Sequence, residues 1–145
     1  MIDVRIQTPP FDSAALLCLL QLSGVGAVSS FTGLVRSDDG VTAIELEHYP
    51  AMTEESLRAV ATEAQSRWNL SGAIIVHRVG KMAVGEPIVF VAAASAHRTE
   101  ALAACAFLID RLKTEAPFWK KEYRGELANW VDAKASDDAR AADWD

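Results

Sequence analysis

The sequence is poor in cysteine, in long apolar runs and in positive charge. Its two cysteines, Cys18 and Cys105, stand far apart, so they have neither metal-site spacing nor the density of a disulfide framework. We expect both to lie in the core, because cysteine is among the most frequently buried residues. No apolar run approaches the roughly 18 residues of a membrane helix, and the N-terminal stretch lacks the apolar centre of a secretion signal. We therefore expect a cytoplasmic protein without membrane association.

The charge balance and the missing motifs exclude further classes of function. With 14 Lys and Arg against 20 Asp and Glu, the net charge is -6, which argues against non-specific binding to nucleic acid. The glycines form neither a dinucleotide-binding loop nor a P-loop, and there is no nucleophile elbow. His48, His77 and His97 are isolated in the sequence and form no HExxH motif. We predict neither a metal nor a cofactor.

The sequence does contain enough apolar residues for one globular domain. Hydrophobic residues make up 50% of the 145 positions, which suffices to bury a core. There is no linker-like or repeated segment, so we predict a single domain over residues 1–145. The last stretch, about 136–145, is polar, and we expect it to fray.

Apolar and β-branched residues predict the strands. Strand-like segments are 2–6, 24–36, 41–50, 72–80 and 88–94. The turn sequence SDDG joins 24–36 to 41–50, so these two segments predict a β-hairpin. Its second strand would place Ile44, Leu46 and His48 on one face.

Helical periodicity marks three segments, 14–22, 53–68 and 98–115. Thr53 is the expected N-cap of the second helix, because its hydroxyl can accept from an unpaired backbone N–H. The longest helix has an apolar face formed by Leu102, Cys105, Ala106, Ile109 and Leu112. Pro117 should end that helix, since the residue before a proline disfavours helical backbone angles. The mixed order of strands and helices predicts an α+β fold rather than a doubly wound parallel sheet.

Positive side chains gather at a few points of this acidic chain, namely Arg36, His77-Arg78, His97-Arg98, Lys113, Lys120 and Lys121. Structural explanations exist for each. Lys113 suits the negative end of a helix dipole, and Arg36 can form an ion pair in a turn. Lys120 and Lys121 can lie over the neighbouring aromatic rings, and His97 can cap a helix. The same residues suit a site for an anionic ligand, and residue types alone leave both interpretations open.

Several longer segments resemble the large, catalytic subunits of molybdopterin synthases. They are GAVSSFTGLVR, LEHYPAMTEESL, HRVGKMAVGEPIVFVAAASAHRTEA, DRLKTEAPFWKKE and NWVDAK, in that order. The resemblance implies an α/β hammerhead fold, in which helices flank a mixed or antiparallel sheet. It also implies a homodimer that binds a small ubiquitin-like subunit at each end, forming a heterotetramer. The C-terminal Gly-Gly thiocarboxylate of that subunit would supply sulfur to cyclic pyranopterin monophosphate, forming the dithiolene of molybdopterin.

The resemblance also implies the site residues of this sulfurtransferase. It assigns Lys113 and Lys120 to catalysis. It assigns substrate binding to Leu34, Val35, Arg36, His97, Arg98, Lys113, Lys120, Lys121 and Glu122, with Phe31 and Lys134 as further candidates. The pterin phosphate, the thiocarboxylate and the product carboxylate are all anions, so the pocket needs fixed positive charge.

Two positions depart from the family pattern. Ala51 stands where a glycine is usual, which affects local turn geometry. Lys134 stands where an arginine is frequent, so a phosphate contact there would keep its charge and lose its bidentate fork.

The spacing of two implied site regions poses a geometric problem. Arg98 opens the longest helix and Lys113 lies in its last turn, about 22 Å apart at ~1.5 Å per residue. One small pterin cannot reach both ends of the helix. We therefore expect a composite site, in which His97 and Arg98 come from the twofold-related subunit.

Two other functions also fit the sequence. The chain could be a non-catalytic module that holds a ubiquitin-like C-terminal tail, or a regulatory protein that binds a phosphorylated metabolite. Formation of dithiolene from the pterin precursor would distinguish the enzyme from both.

Overall fold

The computed structural model describes residues 1–131 and 135–145, and this part of the chain forms eight strands and four α-helices. The strands are β1 (Ile2–Gln7), β2 (Ala27–Leu34), β3 (Ala43–His48), β4 (Gly72–Arg78), β5 (Gly80–Ala83), β6 (Pro87–Ser95), β7 (Phe118–Arg124) and β8 (Leu127–Val131). The helices are α1 (Ser13–Cys18), α2 (Pro50–Trp68), α3 (Arg98–Glu115) and α4 (Ala135–Ala142). Within the described ranges, no helix is long and apolar enough to span a bilayer.

The larger core surrounds a mixed sheet with the strand order β1-β4-β6-β2. β1 runs parallel to β4, and the other neighbours are antiparallel. Every residue of β4 is buried, because α2 and α3 cover one face of the sheet and α1 covers the other. Ile75 packs with Leu57 and Phe107 on the first face, and Ile74 packs with Phe90 on the second. The predicted α+β class, with helices flanking a mixed sheet, is confirmed.

The second sheet is antiparallel, with the order β5-β3-β7-β8. Ile44 and Leu46 on its inner face join a core cluster with Val35 and Met82. Its outer face is exposed. Because β7 follows α3 almost directly, this sheet places Lys120 close to the end of the long helix.

The predicted hairpin of 24–36 and 41–50 is wrong. β2 pairs with β6, whereas β3 pairs with β5 and β7 in the other sheet. After β2 the backbone of Val35 exchanges hydrogen bonds with Glu86 and Gly85, at 2.9 and 2.8 Å, which takes the chain out of the first sheet. Apolar and β-branched residues identified both strands correctly, but such a local pattern does not encode a partner that is remote in sequence.

Helix α2 begins at Pro50, not at the expected N-cap Thr53. Proline suits the first helical position because its missing N–H would have no partner there, and Tyr49 takes the N-cap position. Thr53 is instead fully buried in the first turn. Its hydroxyl accepts from the Tyr49 amide at 3.0 Å and donates to the Pro117 carbonyl at 2.9 Å.

The C-terminal segment contains α4 and an aromatic contact with the domain, and the expectation that about 136–145 frays stays a prediction. The Trp144 ring packs edge-on against Trp68 and Phe107, with centroids 5.7 and 5.6 Å away. Its indole N–H donates to Asp110 at 2.7 Å. Trp144 thus joins the end of the chain to α2 and α3.

Two of the residues expected in the core are exposed. Cys105 is buried as predicted, but Cys18 is exposed at the end of α1, where Leu16 faces the sheet instead. Leu102 on α3 is 59% exposed, because the buried stripe of this helix runs through Ala101 and Ala104. The error at Leu102 arises because helical spacing locates an apolar face only to within about one residue, and the error at Cys18 because the burial frequency of a residue type does not fix its place on a helix.

Candidate active site

Lys113 lies in the last turn of α3, just before a change of chain direction. Pro117 ends the helix as predicted, and Ala116 adopts an extended conformation with φ -83° and ψ 123°. The chain enters β7 immediately afterwards, so Lys113 and Lys120 lie on either side of one short turn. Lys113 is exposed, and its ammonium adjoins the negative end of the helix dipole.

The pleat of β7 decides which of its charged residues share a face. Lys120 and Glu122 stand opposite Leu46 and Ile44 of β3, on the inner face of the second sheet. The Lys120 ammonium lies 3.6 Å from the Glu122 carboxylate. Lys121 points to the outer face, 4.7 Å from the centre of the Trp130 ring. Lys120 and Glu122 therefore belong together, and Lys121 is separated from them by the sheet.

A buried histidine lies behind the two catalytic candidates. His77 is 4% exposed, and its ring stacks on Phe118 with centroids 4.0 Å apart. Its Nδ1 lies 2.9 Å from the Arg78 carbonyl oxygen, which can only accept, so Nδ1 carries the hydrogen. Burial lowers the pKa of His77 from 6.5 to about 4, against the effect of the Arg78 carbonyl, and the charges of Lys113 and His48 lower it further. The imidazole is neutral at pH 7, with Nε2 as an acceptor.

The titration of His77 makes stability depend on pH. Its folded pKa is about 4 and its ordinary value is 6.5, so between these values the unfolded chain binds a proton that the folded protein does not. This contribution is fully present above the unfolded pKa and is lost as the pH falls through the folded one. At ~1.4 kcal/mol per pKa unit, we expect a loss of about 2 kcal/mol between roughly pH 7 and pH 4.5.

Denaturant unfolding at the two pH values would measure this loss. Other groups also titrate in this range, so the expected quantity is the difference from a His77→Phe variant, which cannot titrate. If the two proteins lost stability equally on acidification, the depressed pKa of His77 would be contradicted.

Beside Lys120 the surface opens into a pocket of about 740 Å³. Its lining is Glu47, His48, Tyr49, Phe118, Trp119, Lys120, Trp130 and Val131. The Trp119 ring contacts both Tyr49 and Trp130, with centroids 5.9 and 6.4 Å away, so the rim is a continuous aromatic band. All three rim residues are about half exposed. The lining combines an ammonium, a carboxylate and an imidazole with this aromatic rim, so the pocket suits a ligand that has both polar groups and apolar surface.

Sequence reasoning missed His48 and Thr53 as parts of this region, and it named His77 only within a positive cluster, not as a buried neutral group. A signal existed for two of them, because His48 alternates inward with Ile44 and Leu46, and His77 occupies a strand that is otherwise apolar. The buried role of Thr53 depends on a contact with residue 117, which no local pattern contains. Arg78, the neighbour of His77, is used structurally: it donates to the Thr8 and Pro87 carbonyls and pairs with Glu86.

The predicted residues at the end of β2 lie at the surface, apart from one. Arg36 is exposed and pairs with Asp38 at 3.2 Å, the turn ion pair that its sequence neighbours suggested. Leu34 is 53% and Phe31 39% exposed, whereas Val35 is buried in the cluster under the second sheet. β2 is an edge strand of its sheet, and its exposed apolar side chains offer surface that a second chain could cover.

His97 and Arg98 lie at the opposite end of α3 from Lys113. Both are exposed, and within the described residues the His97 side chain makes no capping hydrogen bond. The helix is continuous from Arg98 to Glu115, so one chain does not bring its two ends to one small ligand. Lys134, the remaining candidate, lies outside the described residues.

Over residues 1–131 and 135–145, no cluster of three or more His, Cys, Asp or Glu side chains could hold a metal ion. The functional groups around the turn after α3 are the ammonium groups of Lys113 and Lys120, the neutral imidazole of His77 and hydrogen-bonding groups. Such a set can bind and stabilise anions, and a lysine beside other positive charge can move a proton.

Comparison with known proteins identifies the family. Residues 6–115 match the family model described as MoaE protein. The molybdopterin synthase catalytic subunit of Pseudomonas aeruginosa is 49% identical, covering 98% of this chain and 98% of its own length. That of Ralstonia nicotianae is 47% identical, covering 99% and 85%.

Solved structures agree on the fold. The molybdopterin biosynthesis MoaE protein from Burkholderia ambifaria superposes with a TM-score of 0.87 at 47% identity, over 99% of this chain and 98% of its own. Molybdopterin synthase from Staphylococcus aureus gives a TM-score of 0.82 at 32% identity, over 88% and 95%. The expected fold, of the α/β hammerhead type, is confirmed by these neighbours. The chain belongs to the MoaE family, that of the molybdopterin synthase catalytic subunits.

Proposed function

We propose that this chain transfers sulfur to cyclic pyranopterin monophosphate as a molybdopterin synthase catalytic subunit, and that Lys113 and Lys120 carry the reaction. The observation that supports these roles most directly is the short turn after α3, which brings the two lysines to one region in front of the neutral His77. The protein acts in the cytoplasm, as a homodimer with one small ubiquitin-like subunit at each end.

The chemistry explains why the site is basic. A thiocarboxylate sulfur of the small subunit forms a bond to a pterin carbon as a carbon–oxygen bond at that carbon breaks, and the oxygen leaves as water or stays on the freed phosphate. Water then cleaves the acyl–sulfur bond, which leaves the sulfur on the pterin and a carboxylate on the small subunit. Two such transfers give the dithiolene. The pterin phosphate is anionic throughout, and the tail ends in a thiocarboxylate before each transfer and in a carboxylate after it. Fixed ammonium groups therefore face negative charge at the start and at the end of each transfer. Lys113 is the central group and Lys120, held beside Glu122, is the second.

The small subunit supplies its sulfur through an extended C-terminal tail ending in Gly-Gly. Glycines have no side chains, so such a tail fits a narrow passage between aromatic walls. Trp119 and Trp130 line the pocket next to Lys120, and their exposed faces give a partner apolar surface to cover. Lys121 lies on the outer face beside Trp130, where it suits contact with the acidic surface of a partner.

Deleting the last two glycines of the small subunit should therefore weaken its binding by at least about tenfold, or ~1.4 kcal/mol. Binding of the full-length subunit should also weaken as salt rises, because ammonium–carboxylate attraction is screened. Titration calorimetry with the two forms, at low and high salt, measures both effects. Equal affinity of the truncated and complete subunits would exclude insertion of the tail.

A further inference from the structure

The turn between α3 and β7 sets the distance between Lys113 and Lys120. It consists essentially of Ala116 and Pro117. Two local backbone hydrogen bonds hold it, from the Ala116 amide to the Leu112 carbonyl at 3.4 Å and from the Phe118 amide to the Ala116 carbonyl at 3.0 Å. A turn this short transmits any displacement of its residues directly to both lysines. What holds the turn against the rest of the domain therefore matters for the site.

One side of the turn is held by Thr53 on α2. This residue is fully buried, and its hydroxyl donates to the Pro117 carbonyl while accepting from the Tyr49 amide. The carbonyl of Pro117 is thus tied to the first turn of a different helix. A buried threonine with both hydrogen-bonding functions used is costly to replace, since its partners would be left unsatisfied.

The other side of the turn is held by His77 on β4. Its ring lies nearly parallel to that of Phe118, with an interplanar angle of 24°. The imidazole is fixed in turn by the Arg78 carbonyl, and its strand is buried along its whole length. Phe118 is therefore held against a strand that is buried along its whole length.

We propose that Thr53 and His77 are positioning residues, which together clamp Pro117 and Phe118 and so fix Lys113 relative to Lys120. Neither residue reaches the surface, so neither touches substrate. The inference rests on the proposed function and extends it to residues outside the pocket wall. A displacement of about 1 Å in a catalytic group can cost roughly a hundredfold in rate, which is why such a clamp affects turnover.

The first test is a pair of substitutions at Thr53. Thr53→Val keeps the shape and removes the hydroxyl, whereas Thr53→Ser keeps the hydroxyl. We expect Thr53→Val to lower kcat at least about tenfold while KM for the pterin precursor changes less than about threefold. Thr53→Ser should restore more than about half of the wild-type kcat. Activity is measured per folded protein, below the unfolding transition of each variant.

A matched control separates positioning from loss of stability. Val60 lies on the same helix, about 10 Å further along its axis than Thr53, and is 2% exposed in the larger core. Val60→Ala should lower the unfolding temperature and leave kcat within about twofold of wild type. If Val60→Ala lost as much kcat as Thr53→Val, or if Thr53→Val kept wild-type kcat, the clamp would be refuted.

A second pair tests the ring stack. His77→Phe keeps an aromatic ring against Phe118, and His77→Asn keeps an amide that can donate to the Arg78 carbonyl but loses the ring. We expect the Phe variant to be at least about fivefold more active than the Asn variant. Lys113→Ala in the same assay tests the proposed role of Lys113 separately from the clamp. If Lys113→Ala is inactive while the Thr53 and His77 variants are fully active, only the clamp fails; if Lys113→Ala is active, the proposed role of Lys113 fails.

Discussion

Replacing Lys113 by alanine should abolish almost all product formation and leave the fold intact. The side chain is exposed at the end of α3, so its removal opens no cavity, and alanine is the better helix former. The reaction, in contrast, loses the ammonium that we place at the centre of the site. We expect kcat to fall below about a tenth of the wild-type value, which corresponds to at least ~1.4 kcal/mol in the barrier. Single-turnover assays with the thiocarboxylated small subunit would measure the loss.

Lys81→Ala is the matched control for this substitution. Lys81 is also exposed and lies on the same sheet as Lys120, but it covers the Tyr123 ring on the outer face, 4.1 Å from its centre. Its loss removes the same charge from the protein without touching the pocket, so kcat should stay within about twofold of wild type. Retention of more than about a tenth of kcat by Lys113→Ala would exclude Lys113 from the central role.

A mixed dimer of Arg98→Ala and Lys113→Ala chains should regain activity that neither homodimer has. The two residues lie at opposite ends of α3, so we expect each site to combine Arg36, Lys113 and Lys120 of one subunit with His97 and Arg98 of the other. The mixed dimer then contains one site carrying neither substitution, and its activity should reach about half that of wild type. Chains with different affinity tags allow the mixed species to be purified.

The complementary arrangement provides the control. A chain carrying both substitutions, paired with a wild-type chain, has one substitution in each composite site and should be nearly inactive. If each site lay within one chain, the results would be exchanged: the double-variant pairing would keep about half the activity and the first mixed dimer would have none. The two dimers contain the same residues, so differences in folding cannot account for the contrast.

The helices and strands with a strong apolar pattern could be predicted from the sequence. A strand with charged side chains on both of its faces could not. Helix α3 ends where Pro117 requires, and β4 is buried as its apolar run indicated. Strand β7 was not recognised, because FWKKEYR places charged residues on both faces. Its inner face carries Lys120 to a pocket rather than to a core, and its outer face meets solvent. Binary patterns identify strands through burial, so a strand that forms a site wall has little signal.

The site residues also divide into those that the sequence revealed and those that it did not. The exposed lysines were recognisable from a run of letters, and the structure places Lys113 and Lys120 around one turn. Thr53 was not recognised and His77 was noted only for its charge, because the contacts of both are with residues 117 and 118, far away in the sequence. Lys120 and Lys121 lie on opposite faces of the sheet because they are adjacent in a strand. Since β7 was not predicted as a strand, the sequence did not reveal this separation.

The most direct test of the central claim is reconstitution of the reaction from purified components. The protein is mixed with a thiocarboxylated small subunit and cyclic pyranopterin monophosphate, and the pterin product and the C-terminus of the small subunit are both followed by mass spectrometry. The account predicts that the pterin gains both sulfurs of the dithiolene while the thiocarboxylate becomes a carboxylate. A small subunit that binds tightly while the pterin stays unchanged would contradict it, and would identify the chain as a binding module instead.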